Sequence, residues 1–303
     1  MLHLQCAVST CAMSPRIRIF QIHYDAPTRG LVAPGFEPLD NSPNERPDWY
    51  EYWPIRAFFR SATLEEADYY GFLSPRFAEK TRLTGRQVKE FVERAGAADV
   101  VTFSPFPEHS ACFLNLFEQG DLFHPGLAAI AARFFASFDP DLRLDRLVTH
   151  SRNTVLANYF VARPRFWRRW NEVLEHCFTL AETPGSPLHS ELNSTTLHHG
   201  QAKPRMKIFL MERVASLLLA TFTTHVVASF PPFEIAFSHP YFGGVFSEVI
   251  ELDALKLAFS TTGDAHYLKC YRALQDRVLR APDCPWRELW SVRPRGPGDP
   301  TAG

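Results

Sequence analysis

Apolar residues along the chain recur with two periods, one of strands and one of helices. Arg16 to Tyr24 is β-rich and stops at Asp25, Pro27 and Gly30, which predicts a first strand. A loop rich in Pro, Asn and Asp follows from Ala26 to Asp48, and Glu51 to Ala62 reads as an aromatic helix. Asp68 to Ser74 predicts a second strand closed by Pro75. Thr84 and Gln87 match a capping box, after which Val88, Phe91 and Val92 share a helical face and Gly96 ends the helix. Asp99 to Phe103 reads as a short buried strand stopped by Pro105 and Pro107. Helices are expected over Ser110 to Gln119 and Pro125 to Phe138, then a strand over Val155 to Ala162. Pro164 opens an amphipathic helix to Leu180. Glu182 to Pro204 is a polar loop, Met206 to Ala228 one long buried helix, Phe230 to Phe246 an aromatic loop, and Asp264 to Leu279 a final helix.

Strands alternating with helices predict an α/β fold with a mostly parallel central sheet flanked by helices. In such sheets ligands bind beyond the carboxyl ends of the strands. Gln21 to Asp25, Ser74 to Arg76 and Ser104 to Phe106 are the corresponding segments. The expected organisation is a tail over 1–15, a main domain over 16–233, a helical C-terminal extension over 234–293 and a second tail over 294–303.

Composition narrows the function classes. The 303 residues are 46% apolar and carry a net charge of −1, which excludes a globally basic nucleic-acid protein. Six scattered cysteines without a CxxC pair read as reduced thiols of a cytoplasmic protein. Val214 to Phe233 is the most apolar stretch, but Ser216, three threonines and His225 interrupt it, so it reads as a buried helix rather than a membrane span. Aromatic residues make up 14% of the chain. Phe91, Phe103 and Trp170 fall at core positions, whereas Tyr24, Trp49, Tyr52, Trp53, Phe106 and Tyr241 to Phe246 fall where rings stack on a base or sugar.

The sequence holds no GxGxxG after a strand, no GxxxxGK[ST], no HExxH and no GxSxG. Weaker constellations remain. Tyr69 to Phe77 combines a glycine strand with Ser74 and Arg76, suiting either a diphosphate contact or a core strand with a surface arginine. His150 and Asn158 flank an apolar strand, as an acceptor-facing wall or as satisfied core polar groups. Glu212-Arg213 lies inside the most apolar helix, as a structural ion pair or as a carboxylate aimed into a site. Asp139-Pro140-Asp141 reads better as a turn than as a metal motif, and His189, His198 and His199 as solvated loop residues. The run Phe166 to Trp170 reads as a core stripe with Arg168 and Arg169 outside.

Taken in order, these segments resemble bacterial glycosyltransferases of surface-polysaccharide gene clusters, with a GT-A-type fold. They are also distantly similar to a family of unknown-function domains from capsule loci. The resemblance spans Arg16 to Ser229 and rests on Gly71, Asn158, Phe160, Trp170, Glu212 and Arg213. The chain departs from the family at Ser74-Pro75-Arg76-Phe77, where a His-Tyr-Arg-Arg signature is expected. The resemblance implies sugar transfer from a nucleotide-sugar donor to a glycan acceptor. On that reading Gln21, Tyr24, Asp25, Ser74 and Arg76 hold the donor, His150 and Asn158 face the acceptor, and Glu212 is the base, oriented by Arg213. Mn2+ or Mg2+ is the cofactor of metal-dependent members, but no D-x-D stands at a strand end. No nucleic-acid partner is expected. The alternatives are a catalytically inactive glycan- or partner-binding protein of the same fold, and peripheral association with the inner membrane face through Arg168-Arg169.

Overall fold

The computed structural model describes residues 15–196, 204–222 and 224–292. The predicted tails therefore fall outside the described residues save for Pro15, as do His198 and His199. Six strands form one sheet: β1 Ile17–His23, β2 Glu37–Asp40, β3 Tyr69–Leu73, β4 Val100–Thr102, β5 Phe160–Ala162 and β6 Val227–Ser229. Their spatial order is β2-β1-β3-β5-β4-β6. Only β5 runs against its neighbours, pairing antiparallel with β3 and β4. The fold is thus α/β, with a mostly parallel mixed sheet.

The alternation of side chains divides the core between the two faces of the sheet. Phe20, Ile22, Tyr70, Phe72, Phe160 and Ala162 face one cluster, while Ile19, Tyr69, Leu73, Val101 and Val161 face another. Both faces are covered, which explains why β3 is buried at every position. The first face stacks rings: Phe20 on Phe72 at 5.3 Å, and Phe160 on Trp167 at 4.3 Å between centroids. The Trp167 indole N–H donates to the Tyr70 carbonyl at 2.8 Å. Trp167 and Trp170 come from the helix Pro164–Glu182, so the predicted core stripe is observed.

The helix Gly85–Ala95 covers the second face through Val88 and Val92. Its capping box forms: Gln87 N donates to Thr84 Oγ1 at 3.3 Å, and Thr84 N to Gln87 Oε1 at 3.0 Å. A third cluster joins the helices Phe246–Thr262, Ala265–Leu279 and Arg287–Val292 to the helix Pro107–Cys112. There the buried ammonium of Lys256 donates to the carbonyls of Ser110 and Phe113, and the Gln275 amide to the Cys112 carbonyl at 2.7 Å. These are the free carbonyls at a helix end, where a cation is favoured.

Several elements differ from the sequence expectation. The strand Val155 to Ala162 shrinks to β5, because Ala157 and Asn158 turn left-handed at φ 56° and 55°. The long helix Met206 to Ala228 is two helices, Met206–Met211 and Val214–Thr221, followed by the edge strand β6. Asp99 Oδ2 accepts from Val226 N at 2.9 Å and draws that segment to β4 instead of extending the helix. The helix Ser110 to Gln119 breaks at Asn115, whose Oδ1 caps a new helix Leu116–Phe123. The loop Ala26 to Asp48 contains β2. Asp139 accepts from Asp141 N at 3.1 Å, a turn as read.

Gly71 lies where β3 is pressed against β5. A Cβ there would stand 2.8 Å from Val161 Cγ2 and 3.4 Å from the Phe160 carbonyl. Val161 is β-branched and has little rotamer freedom with which to yield. Gly71→Ala is expected to cost about 1–3 kcal/mol in denaturant unfolding. Combining it with Val161→Ala is expected to cost less than the two single changes summed. Additive costs would show that the contact is relaxed at no expense.

Candidate functional site

The chain leaves β1 for β2 on one side and crosses to β3 on the other, so the strand order reverses between β1 and β3. A ligand crevice is expected outside their carboxyl ends. A slot opens there, lined by Ser74, Glu51, Lys80, Asn158 and Glu212 above a floor that includes Trp49, Phe72 and Trp170. Its volume of about 50 Å³ admits a few waters or one functional group of a ligand.

Glu212 reaches the slot at a kink between the helices Met206–Met211 and Val214–Thr221, where residues 212 and 213 keep helical backbone angles. Arg213 is buried, and its guanidinium donates to Leu116 O at 2.7 Å, Phe209 O at 2.6 Å and Gln119 Oε1 at 2.6 Å. Burial lowers its pKa to about 10, still well above neutrality. Arg213 therefore anchors the turn from behind, bonded to α-helical backbone, while Glu212 lines the slot in front. Gly120 makes room for that guanidinium: a Cβ on it would lie 2.6 Å from Arg213 Nε.

Glu51 enters from a second buried network. Arg46 Nε and Lys207 Nζ donate to Asp48 at 2.9 and 2.7 Å, while Arg46 and the Trp49 indole donate to Glu182 at 2.7 and 2.9 Å. Burial opposes ionisation of Asp48, but the hydrogen bonds from Arg46 and Lys207 bring its pKa to about 2. The Lys207 side chain is fully buried, with Nζ 3.9 Å from the Trp49 ring centroid. This clamp fixes the segment before Tyr50, which takes φ 46°, and Glu51 then stands at the start of the helix Tyr52–Ser61. Burial raises the Glu51 pKa, the charge of Glu212 adds to the rise, and Lys80 offsets part of it. Tyr50, Ala157 and Asn158 all have positive φ and all line the slot. Such backbone conformations concentrate at functional sites.

Of the predicted residues, the slot unites Ser74, Asn158 and Glu212. Ser74 Oγ and Tyr159 Oη are hydrogen-bonded at 2.6 Å. Asn158 Oδ1 is buried without a hydrogen-bond partner among the described residues. The Tyr24 hydroxyl faces Asn41 beyond the ends of β1 and β2, and both are buried with no other partner among the described residues. Gln21 is a brace between strand ends: its amide donates to Ser74 O and Pro75 O, both at 3.3 Å, and accepts from Ala33 N at 2.8 Å. Asp25 is exposed and caps the turn Ala26–Arg29 through Thr28. Arg76 is exposed and pairs with Glu79 through both carboxylate oxygens. His150 lies elsewhere, buried near Asp253, where burial keeps its pKa at about 4 and its ring neutral. Trp49 and Tyr52, read as stacking rings, are buried in the core.

No family model, curated protein or solved structure matches the chain.

Glu51 and Lys80 were not anticipated from the sequence. Glu51 sits in an aromatic run, and Lys80 on the short helix Phe77–Thr81, where a lysine reads as surface. Lys80 forms no ion pair with a described residue and lies 5.7 Å from the Tyr159 ring centroid. The slot thus holds two carboxylates and one ammonium that is in no ion pair among the described residues. Among the described residues, no three His, Cys, Asp or Glu side chains converge as a metal site.

The raised pKa of Glu51 gives its carboxyl a definite effect on stability. Below the ordinary glutamate range both folded and unfolded chains hold the proton, and Glu51 is neutral to folding. As pH rises the unfolded chain ionises first, so stability falls until the folded carboxyl also ionises. Glu51→Gln mimics the protonated form. It is expected to melt with the native protein below about pH 4 and a few degrees higher at neutral pH, measured by calorimetry. A lower melting temperature at neutral pH would contradict the assigned direction.

Proposed function

We propose that the protein is a glycosyltransferase that moves a sugar from a nucleotide-sugar donor to a glycan acceptor. The observation that carries the reading is the slot at the β1/β3 reversal, which gathers Glu212, Glu51, Lys80, Ser74 and Asn158. A mostly parallel sheet with a single reversed strand is compatible with a GT-A-type fold.

In an inverting transfer, Glu212 takes the proton of an acceptor hydroxyl that reaches into the slot. The hydroxyl oxygen forms a bond to the anomeric carbon as the bond from that carbon to the diphosphate oxygen breaks. The nucleoside diphosphate leaves with the electron pair. Lys80, in no ion pair with a described residue, faces the developing negative charge. Tyr24 and Asn41, which face each other, supply donor contacts at the carboxyl ends of β1 and β2. The small volume of the slot fits one hydroxyl and its proton acceptor, with the sugar rings above. Glu51 and Glu212 line the slot without a third acidic, histidine or cysteine ligand among the described residues, so a metal ion there would take further ligands from the donor's phosphates.

The test is a transfer and donor-hydrolysis assay across a panel of nucleotide sugars, with calorimetry of donor binding. Glu212→Gln is expected to lower kcat by about 10²–10⁴-fold with donor affinity retained. Lys80→Ala is expected to weaken donor binding and turnover together. Donor binding without turnover by the native protein would favour a binding protein of the same fold. Failure to bind any donor, with or without Mn2+, would overturn the proposal.

A further inference from the structure

A second and larger cleft, about 440 Å³, opens between the turn at residues 150–153, the end of β6 and the helix Phe246–Thr262. The loop that forms its rim continues to Ala157 and Asn158 in the slot, so both openings lie along one edge of the sheet. Six of its lining residues are apolar: Val227, Pro232, Phe233, Ile250, Ala254 and Leu257. The others are Ser151, Arg152, Ser229 and Asp253.

Most of the polar groups are already engaged inside the protein. Asp253 accepts from Ser151 N at 2.8 Å and from Ser151 Oγ at 2.5 Å. Ser229 Oγ donates to Arg152 O at 3.2 Å and accepts from Thr102 Oγ1 at 3.0 Å. These bonds brace the walls and leave little hydrogen-bonding capacity for a many-hydroxyl ligand such as a bare sugar. The Arg152 side chain is the exception. It is exposed and forms no ion pair with a described residue. The apolar wall also continues outward. Ile250 is 38% and Phe246 41% exposed, and the Phe246 ring stands 6.1 Å from that of Phe233.

The geometry points to an amphiphilic ligand: an aliphatic chain on the Ile250, Leu257 and Phe233 wall, with a phosphate on Arg152. A phosphate accepts the guanidinium's paired N–H groups. A cleft of this volume covers a phosphate and the first carbons of a chain, and the exposed ridge at Phe246 and Ile250 carries the chain onward. The occupant is a lipid-borne phosphate presented at a membrane surface. The inference does not depend on sugar transfer, because binding alone tests it.

Titration with decyl phosphate below its micelle concentration, followed by tryptophan fluorescence and calorimetry, is the direct experiment. Decanol and inorganic phosphate are the controls. The native protein is expected to bind decyl phosphate at least about tenfold more tightly than either control. Arg152→Ala and Ile250→Asp are each expected to weaken binding about tenfold, with melting temperatures near the native value because both side chains are exposed. Sedimentation with phosphatidylcholine vesicles doped with phosphatidic acid separates a bilayer source from a soluble one. Retention on doped but not on neutral vesicles supports the lipid. Absence of binding, equal affinity for decanol, equal affinity for inorganic phosphate, or binding of decyl phosphate without retention on doped vesicles would each overturn the proposal.

Discussion

The enclosed guanidinium of Arg213 sets the geometry on which the candidate site depends. Its three bonds, to two backbone carbonyls and the Gln119 amide, join the kinked helix to the helix Leu116–Phe123. A buried charge is tolerated only where its donors are satisfied, so this position cannot drift. The helix kinks where the arginine is held, and the preceding residue, Glu212, lines the slot. Gly120 leaves the space that the guanidinium fills. The dipeptide thus combines two functions: one residue secures the core and its neighbour faces the ligand side.

A second fixed point works in the same way. Lys207, enclosed between Asp48, Glu182 and the Trp49 ring, secures the loop that delivers Glu51. Both carboxylates of the slot therefore come from segments tied down by buried cations. Both segments pack on the same face of the sheet, where Trp49, Phe209 and Met211 share one apolar cluster. Sites supported in this way keep their groups in place without ligand present.

Much of the fold was legible in the sequence because it rests on local chemistry. Thr84 and Gln87 announced their helix by the cap, and Tyr69 to Leu73 announced β3 by β-rich residues closed by Pro75. β5 and β6 were obscured. Each has three residues, and their bounds are set by tertiary pairing and by the left-handed turn at Ala157 and Asn158. The helix Phe246–Thr262 was missed because its apolar residues surround it instead of forming one stripe. At the site, Glu212 stood out as a charge in an apolar helix, and Ser74 and Asn158 as polar residues at strand ends. Glu51 and Lys80 gave no such signal, since only the packing of distant segments brings them together. Arg76, prominent in the sequence, pairs with Glu79 on the surface. His150 is buried beside Asp253, away from the slot.

The central claim is that the slot at the β1/β3 reversal is where a nucleotide sugar meets its acceptor. A crystal structure of the protein soaked with a nucleoside diphosphate tests it most directly. The account predicts density beyond the carboxyl ends of β1 and β3, with the diphosphate against Lys80 and its terminal phosphate directed toward Glu212. A diphosphate bound elsewhere on the molecule, with the slot left to water, would contradict it.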